Sequence, residues 1–164
     1  MILLPGETFS YNDVLGERTA DKGYQPAGAY SDGEVVEQLG GGICQVSSTL
    51  FAAVLHTDLE IITRANHSMP VSYLPMGMDA TVSWGGPEFK FKNNFAYPIK
   101  ISASYSDGTI TFKILGAASD KKKIEVEIKK TGEMSAETYR KYYDENGNVT
   151  STKRVARSNY KPHS

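Results

Sequence analysis

The sequence predicts an α+β fold: one main helix carrying the cysteine at its N-terminus, packed on a mostly antiparallel sheet, with a small all-β appendage at the C-terminus. Three observations predict it. Residues 43–56 place Ile43, Val46, Leu50, Ala53 and Val54 at helical spacing. Beyond residue 58 the period changes to two, in short runs rich in β-branched and aromatic residues. Near Gly116 the composition shifts to a small, charged linker, followed by alternating strands. The expected division is therefore a main domain over residues 1–116 and a β-rich extension over 117–164.

Each element has its own signal. Leu4-Pro5-Gly6-Glu7 is turn chemistry, and residues 8–16 read as a short element in which Asn12 or Asp13 caps a turn. Residues 23–33, rich in Gly, Pro, Ala, Tyr and Ser, read as a loop leading to Gly40-Gly41-Gly42. The helix ends near His56-Thr57-Asp58, where a basic residue in the last turn complements the dipole. Strands are expected over 59–63, 67–74, 80–84, 89–93, 99–105 and 109–115. Ser106-Asp107-Gly108 joins the last two into an antiparallel hairpin, since so short a connection cannot make a parallel crossover. In the tail, Ile124, Val126 and Ile128 alternate with Glu125, Glu127 and Lys129 as a half-exposed strand. Residues 139–144 and 149–155 form a further hairpin about Asn146-Gly147. Lys121-Lys122-Lys123 reads as a solvated edge.

A chain of 164 residues fits one domain of ordinary size and buries a core without staples. Its formal net charge of −1 gives no basic field for nucleic acid, which is excluded as a partner. No stretch approaches the roughly 18 apolar residues of a membrane span, and the Met1-Ile2-Leu3-Leu4-Pro5 start is too short for a signal peptide. The chain reads as an excised soluble domain. A single cysteine forbids an internal disulfide and leaves the redox compartment open.

That cysteine has a telling address, Gly40-Gly41-Gly42-Ile43-Cys44-Gln45-Val46-Ser47-Ser48. The first turn of a helix presents unpaired N–H groups and the positive end of the dipole, which favour a thiolate over a thiol and can stabilise an oxyanion. The alternative is a small buried hydrophobe, the usual fate of a lone cysteine. A nucleophilic thiol needs a base, and a third group to orient that base. Of three histidines, His163 stands at the C-terminus. His56 lies about 18 Å from Cys44 along the helix axis at 1.5 Å per residue. That leaves His67, in Arg64-Ala65-Asn66-His67-Ser68-Met69-Pro70. Asp79 opens the next expected strand, so adjacent antiparallel strands would set its carboxylate beside the imidazole; otherwise it is a turn or cap residue. Asn66 is the other group able to orient His67. One Cys and one well-placed His fall short of a zinc site, so no metal and no cofactor is expected. The glycines lack the Lys-Ser or Lys-Thr of a phosphate loop.

At Leu4-Pro5-Gly6-Glu7-Thr8-Phe9-Ser10, the Gly40 to Leu50 block, Asn66-His67-Ser68-Met69-Pro70-Val71, Asp79-Ala80-Thr81-Val82 and Phe91-Lys92-Asn93-Asn94, the sequence closely resembles the VanW domain family of mainly Gram-positive bacteria. The tail, with Tyr142-Tyr143-Asp144 and Tyr160-Lys161-Pro162, is similar to an extension seen on some members. The resemblance implies an extracellular, cell-wall-associated fragment of a larger exported or membrane-anchored protein, acting as a monomer on peptidoglycan stem peptides as donor and acceptor. It further implies L,D-transpeptidation: a Cys44 thioester formed with loss of the terminal D-alanine, then a 3-3 cross-link. In that scheme His67 is the base and Asp79 holds it. The Cys44 N–H, with Gly42 or Gln45, stabilises the oxyanion, and Arg64, Ser47 and Ser68 are candidates for substrate contact, each with a structural role as the alternative. The better-known L,D-transpeptidases carry Ser-His-Gly before their cysteine, where this chain has Gly42-Ile43. A non-catalytic wall-binding module and a thiol peptidase or amidase are the competing expectations.

Overall fold

The computed structural model describes residues 1–15, 26–31, 34–39, 43–72, 74–106 and 109–162, with the backbone alone at 26–31, 34–39, 43 and 105. In chain order the elements are β1 (Ile2–Leu3), β2 (Thr8–Ser10), α1 (Tyr11–Leu15), β3 (Pro26–Ser31), β4 (Glu34–Leu39), α2 (Ile43–Leu55), β5 (Glu60–Thr63), β6 (Lys90–Lys92), β7 (Ile99–Ser106), β8 (Thr109–Leu115), β9 (Lys123–Gly132), β10 (Ser135–Tyr143) and β11 (Val149–Asn159). The fold is α+β as expected, with one main helix, Cys44 in its first turn, and an all-β C-terminal part. Three three-stranded sheets run β1-β7-β8, β2-β6-β5 and β11-β10-β9, and β3 pairs with β4. Among the described residues every pairing is antiparallel. Among the described residues no helix is long and apolar enough to cross a membrane.

Helix α2 builds the core. Its apolar stripe buries Leu50, Phe51, Val54 and Leu55 against Phe9, Phe89, Phe91 and Ile99. Burying each such side chain contributes on the order of 2 kcal/mol. Phe51 meets Phe89 edge-on at 5.5 Å, and Phe9 stacks on Phe91 at 4.9 Å. The N-terminal turn is real: Gly6 has φ 86°, and the Leu4 N–H donates to Glu7 Oε1 at 2.6 Å. Fully buried Asn93 ties that turn down, donating from Nδ2 to Leu3 O at 2.9 Å. After the helix, His56 Nδ1 sits 2.8 Å from Ala52 O, one of the carbonyls that the helix end leaves unpaired.

Three expectations are corrected. Residues 26–31, read as loop, pair with β4 from Pro26↔Leu39 to Ser31↔Glu34. That ladder is made by backbone, and the Gly, Pro and Ala content of β3 conceals it. Residues 67–74 and 80–84, read as strands, form no ladder among the described residues. Pro70 and Pro75 have no N–H to give. The peptide of Ala80 is taken by the helix instead: its N–H donates to Ser48 Oγ at 2.9 Å, and its carbonyl accepts from Ser47 and Ser48 at 2.7 and 3.0 Å. The Asp107-Gly108 turn and His163 lie outside the described residues; the β7 and β8 strands flanking that turn pair as a hairpin.

The C-terminal sheet is bonded into the rest of the fold. Buried Arg140 on β10 donates to the carbonyls of Val54, Leu55 and Leu59 at 2.9, 3.0 and 2.9 Å, so a cation closes the negative end of α2. Thr138, also on β10, donates to Gly77 O at 2.7 Å. Gly77 has φ 91°, and a Cβ there would stand 2.7 Å from Thr138 Oγ1. Gly77→Ala is therefore expected to lower unfolding stability by about 1–3 kcal/mol, combining backbone strain with a clash. A denaturant midpoint unchanged from the parent would show that the loop relaxes freely.

Candidate active site

The helix docks the site. Ser47 and Ser48, both fully buried on α2, clasp the Ala80 peptide and so bring residues 79–82 alongside the first turn, where Cys44 stands. Cys44 Sγ lies 3.4 Å from Thr81 Oγ1 and 3.3 Å from Val82 O. A carbonyl accepts only from the protonated thiol, whereas the Thr81 hydroxyl can donate to the thiolate. His67 is within hydrogen-bonding reach of the same sulfur.

Asp79 holds that imidazole. Its Oδ2 is 2.7 Å from His67 Nδ1 and also accepts from the His67 main-chain N–H at 2.7 Å. With Nδ1 so occupied, Nε2 is the nitrogen left for the thiol. The other carboxylate oxygen, Oδ1, accepts from the Tyr160 hydroxyl at 2.5 Å and lies 3.5 Å from Arg64 Nη2. Asp79 and His67 are 0% and 6% exposed, so these contacts act where water screens them little.

The electrostatics follow from the contacts. Burial pushes the Asp79 carboxyl up, but hydrogen bonds from His67 and Tyr160 and the Arg64 charge outweigh it, and the group stays ionised. Burial pushes His67 down; Asp79 and Cys44 raise it, to about 9. Burial pushes the Cys44 thiol up, and the His67 and Thr81 contacts bring it below its ordinary value. A thiol lowered beside an imidazole raised to about 9 is biased toward giving its proton to that imidazole.

The structure brings Cys44, His67 and Asp79 together, though not through adjacent strands: hydrogen bonds from irregular segments do it. Gly42 lies outside the described residues. Gln45 is exposed beside Cys44 in the first turn, and Ser68 is exposed next to His67. Arg64 and Ser47, two candidates for substrate contact, have their polar groups engaged within the chain. Arg64 is 4% exposed, donating from Nε to Asp79 O at 2.8 Å and from Nη1 to Ser158 Oγ at 2.7 Å. Ser47 is spent on the Ala80 and Cys44 carbonyls. Asn66 does not orient the imidazole: its amide donates to the main-chain oxygens of His67 and Asn159 at 2.7 and 2.8 Å. Sequence reasoning missed Thr81 and Tyr160. Both stand in motifs quoted above, Thr81 two residues past Asp79 and Tyr160 in Tyr160-Lys161-Pro162, but Tyr160 is 81 residues from Asp79 and nothing local pairs the two. Among the described residues no cluster of three His, Cys, Asp or Glu side chains could hold a metal ion. A cavity of about 710 Å³ opens at the far end of α2, beside His56 and Phe112, and none of the site residues lines it.

A family model described as "VanW like protein" matches residues 1–115. Over 109 residues the chain is 51% identical to the "Uncharacterized protein YoaR" of Bacillus subtilis, a match covering 66% of this chain and 36% of that protein. Over 115 residues it is 33% identical to the "Vancomycin B-type resistance protein VanW" of Enterococcus faecalis, covering 67% of this chain and 42% of the relative. The chain thus spans less than half the length of either. No solved structure matches it significantly.

Proposed function

The chain belongs to the VanW-like family, and from that premise we propose that it is a cysteine-dependent L,D-transpeptidase of cell-wall peptidoglycan. A relative named for vancomycin B-type resistance supports the wall setting and an extracellular location. The observation that carries the chemistry is the thiol of Cys44 within reach of an imidazole whose Nδ1 is held 2.7 Å from a buried carboxylate.

The Cys44 thiolate attacks the amide carbonyl before the terminal D-alanine of a donor tetrapeptide stem. The oxyanion forms beside the first-turn N–H groups of α2, those of Cys44 and Gln45. As the C–N bond breaks, the His67 imidazolium protonates the departing amine and a thioester remains. A side-chain amine of an acceptor stem then attacks that thioester, His67 takes its proton, and the thiolate leaves with a 3-3 cross-link made. Water in place of the amine gives hydrolysis, so exclusion of water decides between a transferase and a peptidase.

Donor and acceptor muropeptides incubated with the chain test this. D-alanine release together with a 3-3 dimer is the expected result. D-alanine without dimer indicates a peptidase; neither product, with stem binding retained, indicates a binding module. The pH dependence has a definite sign. Acylation rises as pH climbs through the lowered Cys44 value, and falls above about 9, where His67 loses the proton that the leaving amine needs. Thioester formation that keeps rising beyond that point would remove His67 from the role of acid.

A further inference from the structure

The loop that carries His67 and the end of β11 are bonded residue for residue. Asn66 Nδ2 donates to Asn159 O at 2.8 Å, and the Lys161 N–H donates to Ser68 O at 2.6 Å. His67 and Tyr160 thus occupy corresponding places between two cross-links. Their side chains converge on one carboxylate, His67 on Asp79 Oδ2 and Tyr160 on Oδ1. The Tyr160 oxygen is itself fixed, accepting from the Gly77 N–H at 2.8 Å while donating to Asp79. Its residue is 7% exposed, and the family match ends at residue 115, well before it.

We propose that Tyr160, carried in by the C-terminal sheet, is a positioning residue of the active site: by pinning Asp79 Oδ1 it aims Oδ2 at His67 and so keeps the imidazole on the Cys44 sulfur. The inference rests on the reading of Cys44 and His67 as the catalytic pair. A carboxylate turns about its last side-chain bond unless both oxygens are engaged. Arg64 Nη2, at 3.5 Å, is an ion-pair neighbour of Oδ1 rather than its hydrogen-bond donor. The phenol remains a donor, since burial and Asp79 push its ionisation above the ordinary range. Among the described residues, the titratable or charged groups facing Asp79 are His67, Arg64 and Tyr160, and the one facing Cys44 is His67.

Cys44 is the sole cysteine, so iodoacetamide alkylation of the full chain against pH reads this site alone. Tyr160→Phe is expected to raise the alkylation midpoint by about one pH unit, a loss of about tenfold in rate at neutral pH. The proton on His67 Nδ1, shielded from exchange by Asp79 in the parent, is expected to exchange too fast to be seen by NMR. With 4-aminophenylalanine at position 160, which still donates, the parent midpoint is expected to return; this also covers the case in which Tyr160→Phe does not fold. Tyr142→Phe, which removes a 2.7 Å tyrosine-to-aspartate bond from the same sheet to Asp58, is expected to leave the midpoint in place. A midpoint unmoved or lowered in Tyr160→Phe overturns the proposal, as does an equal rise in Tyr142→Phe or no rescue by the aminophenyl group. The readout needs no substrate, so a parent chain inert toward muropeptides would remove the transpeptidase reading and still leave this one decided.

Discussion

Cys44→Ala is expected to abolish both D-alanine release and 3-3 dimer formation, a loss of about 10⁴-fold or more, because no other group can form the acyl intermediate. Ser47 is the nearest hydroxyl on the same turn, but it is fully buried and committed to the Ala80 carbonyl, 2.7 Å away. The fold should hardly register the change. Cys44 is only partly buried, and its sulfur contacts at 3.3 and 3.4 Å are weak, so the stability cost is about 1 kcal/mol or less. Cys44→Ser is expected to be nearly as inactive, since an alkoxide is far harder to form than a thiolate beside the same imidazole. Mass spectrometry of the chain after exposure to donor stem supplies the check: an adduct of the mass of a tripeptide stem in the parent, and none in either variant. Substantial turnover by Cys44→Ala would end the covalent mechanism.

Asp79→Asn is expected to damage activity and stability together, for separable reasons. The imidazolium loses its ionic partner and the imidazole is no longer held in one tautomer, which lowers acylation by about 10³–10⁴-fold. The same change leaves the Arg64 guanidinium, 4% exposed, without its counter-charge. Breaking a buried pair from one side costs about 3–5 kcal/mol. Adding Arg64→Met to Asp79→Asn is expected to recover much of that stability and none of the activity, because the second substitution removes the stranded charge but restores nothing to His67. Urea unfolding and acylation rates of the single and double variants measure the two effects apart. Joint recovery of both would mean that Asp79 serves catalysis only by holding the fold.

What the sequence made legible was whatever is local. The 43–55 helix was visible because five apolar positions fall on one face, and β7, β8, β10 and β11 because alternation and turn residues are read within a few positions. Elimination among three histidines isolated His67. The means of assembly was hidden: the strands expected at 67–74 and 80–84 are replaced by serine hydroxyls and a carboxylate bonding to backbone, an exchange that no periodicity records. Which way Arg64 turns was not legible either: its Nη1 bonds to Ser158, 94 residues away. The roles of Tyr160 and Arg140 were hidden for the same reason, since their partners are 81 to 86 residues distant.

Arg140 gives the composition shift at Gly116 a different meaning. One guanidinium from the C-terminal sheet meets two carbonyls at the end of α2 and a third at Leu59 just beyond it, and one phenol, directly after β11, meets the Asp79 carboxylate near the helix start. A part of the chain that the family match leaves out therefore bonds the end of α2 directly and the carboxylate beside its first turn as well. A seam visible in ancestry need not be a seam in cooperativity. Here the family match stops at residue 115, while the hydrogen bonds that secure the end of α2 and the Asp79 carboxylate come from residues as far along the chain as Tyr160.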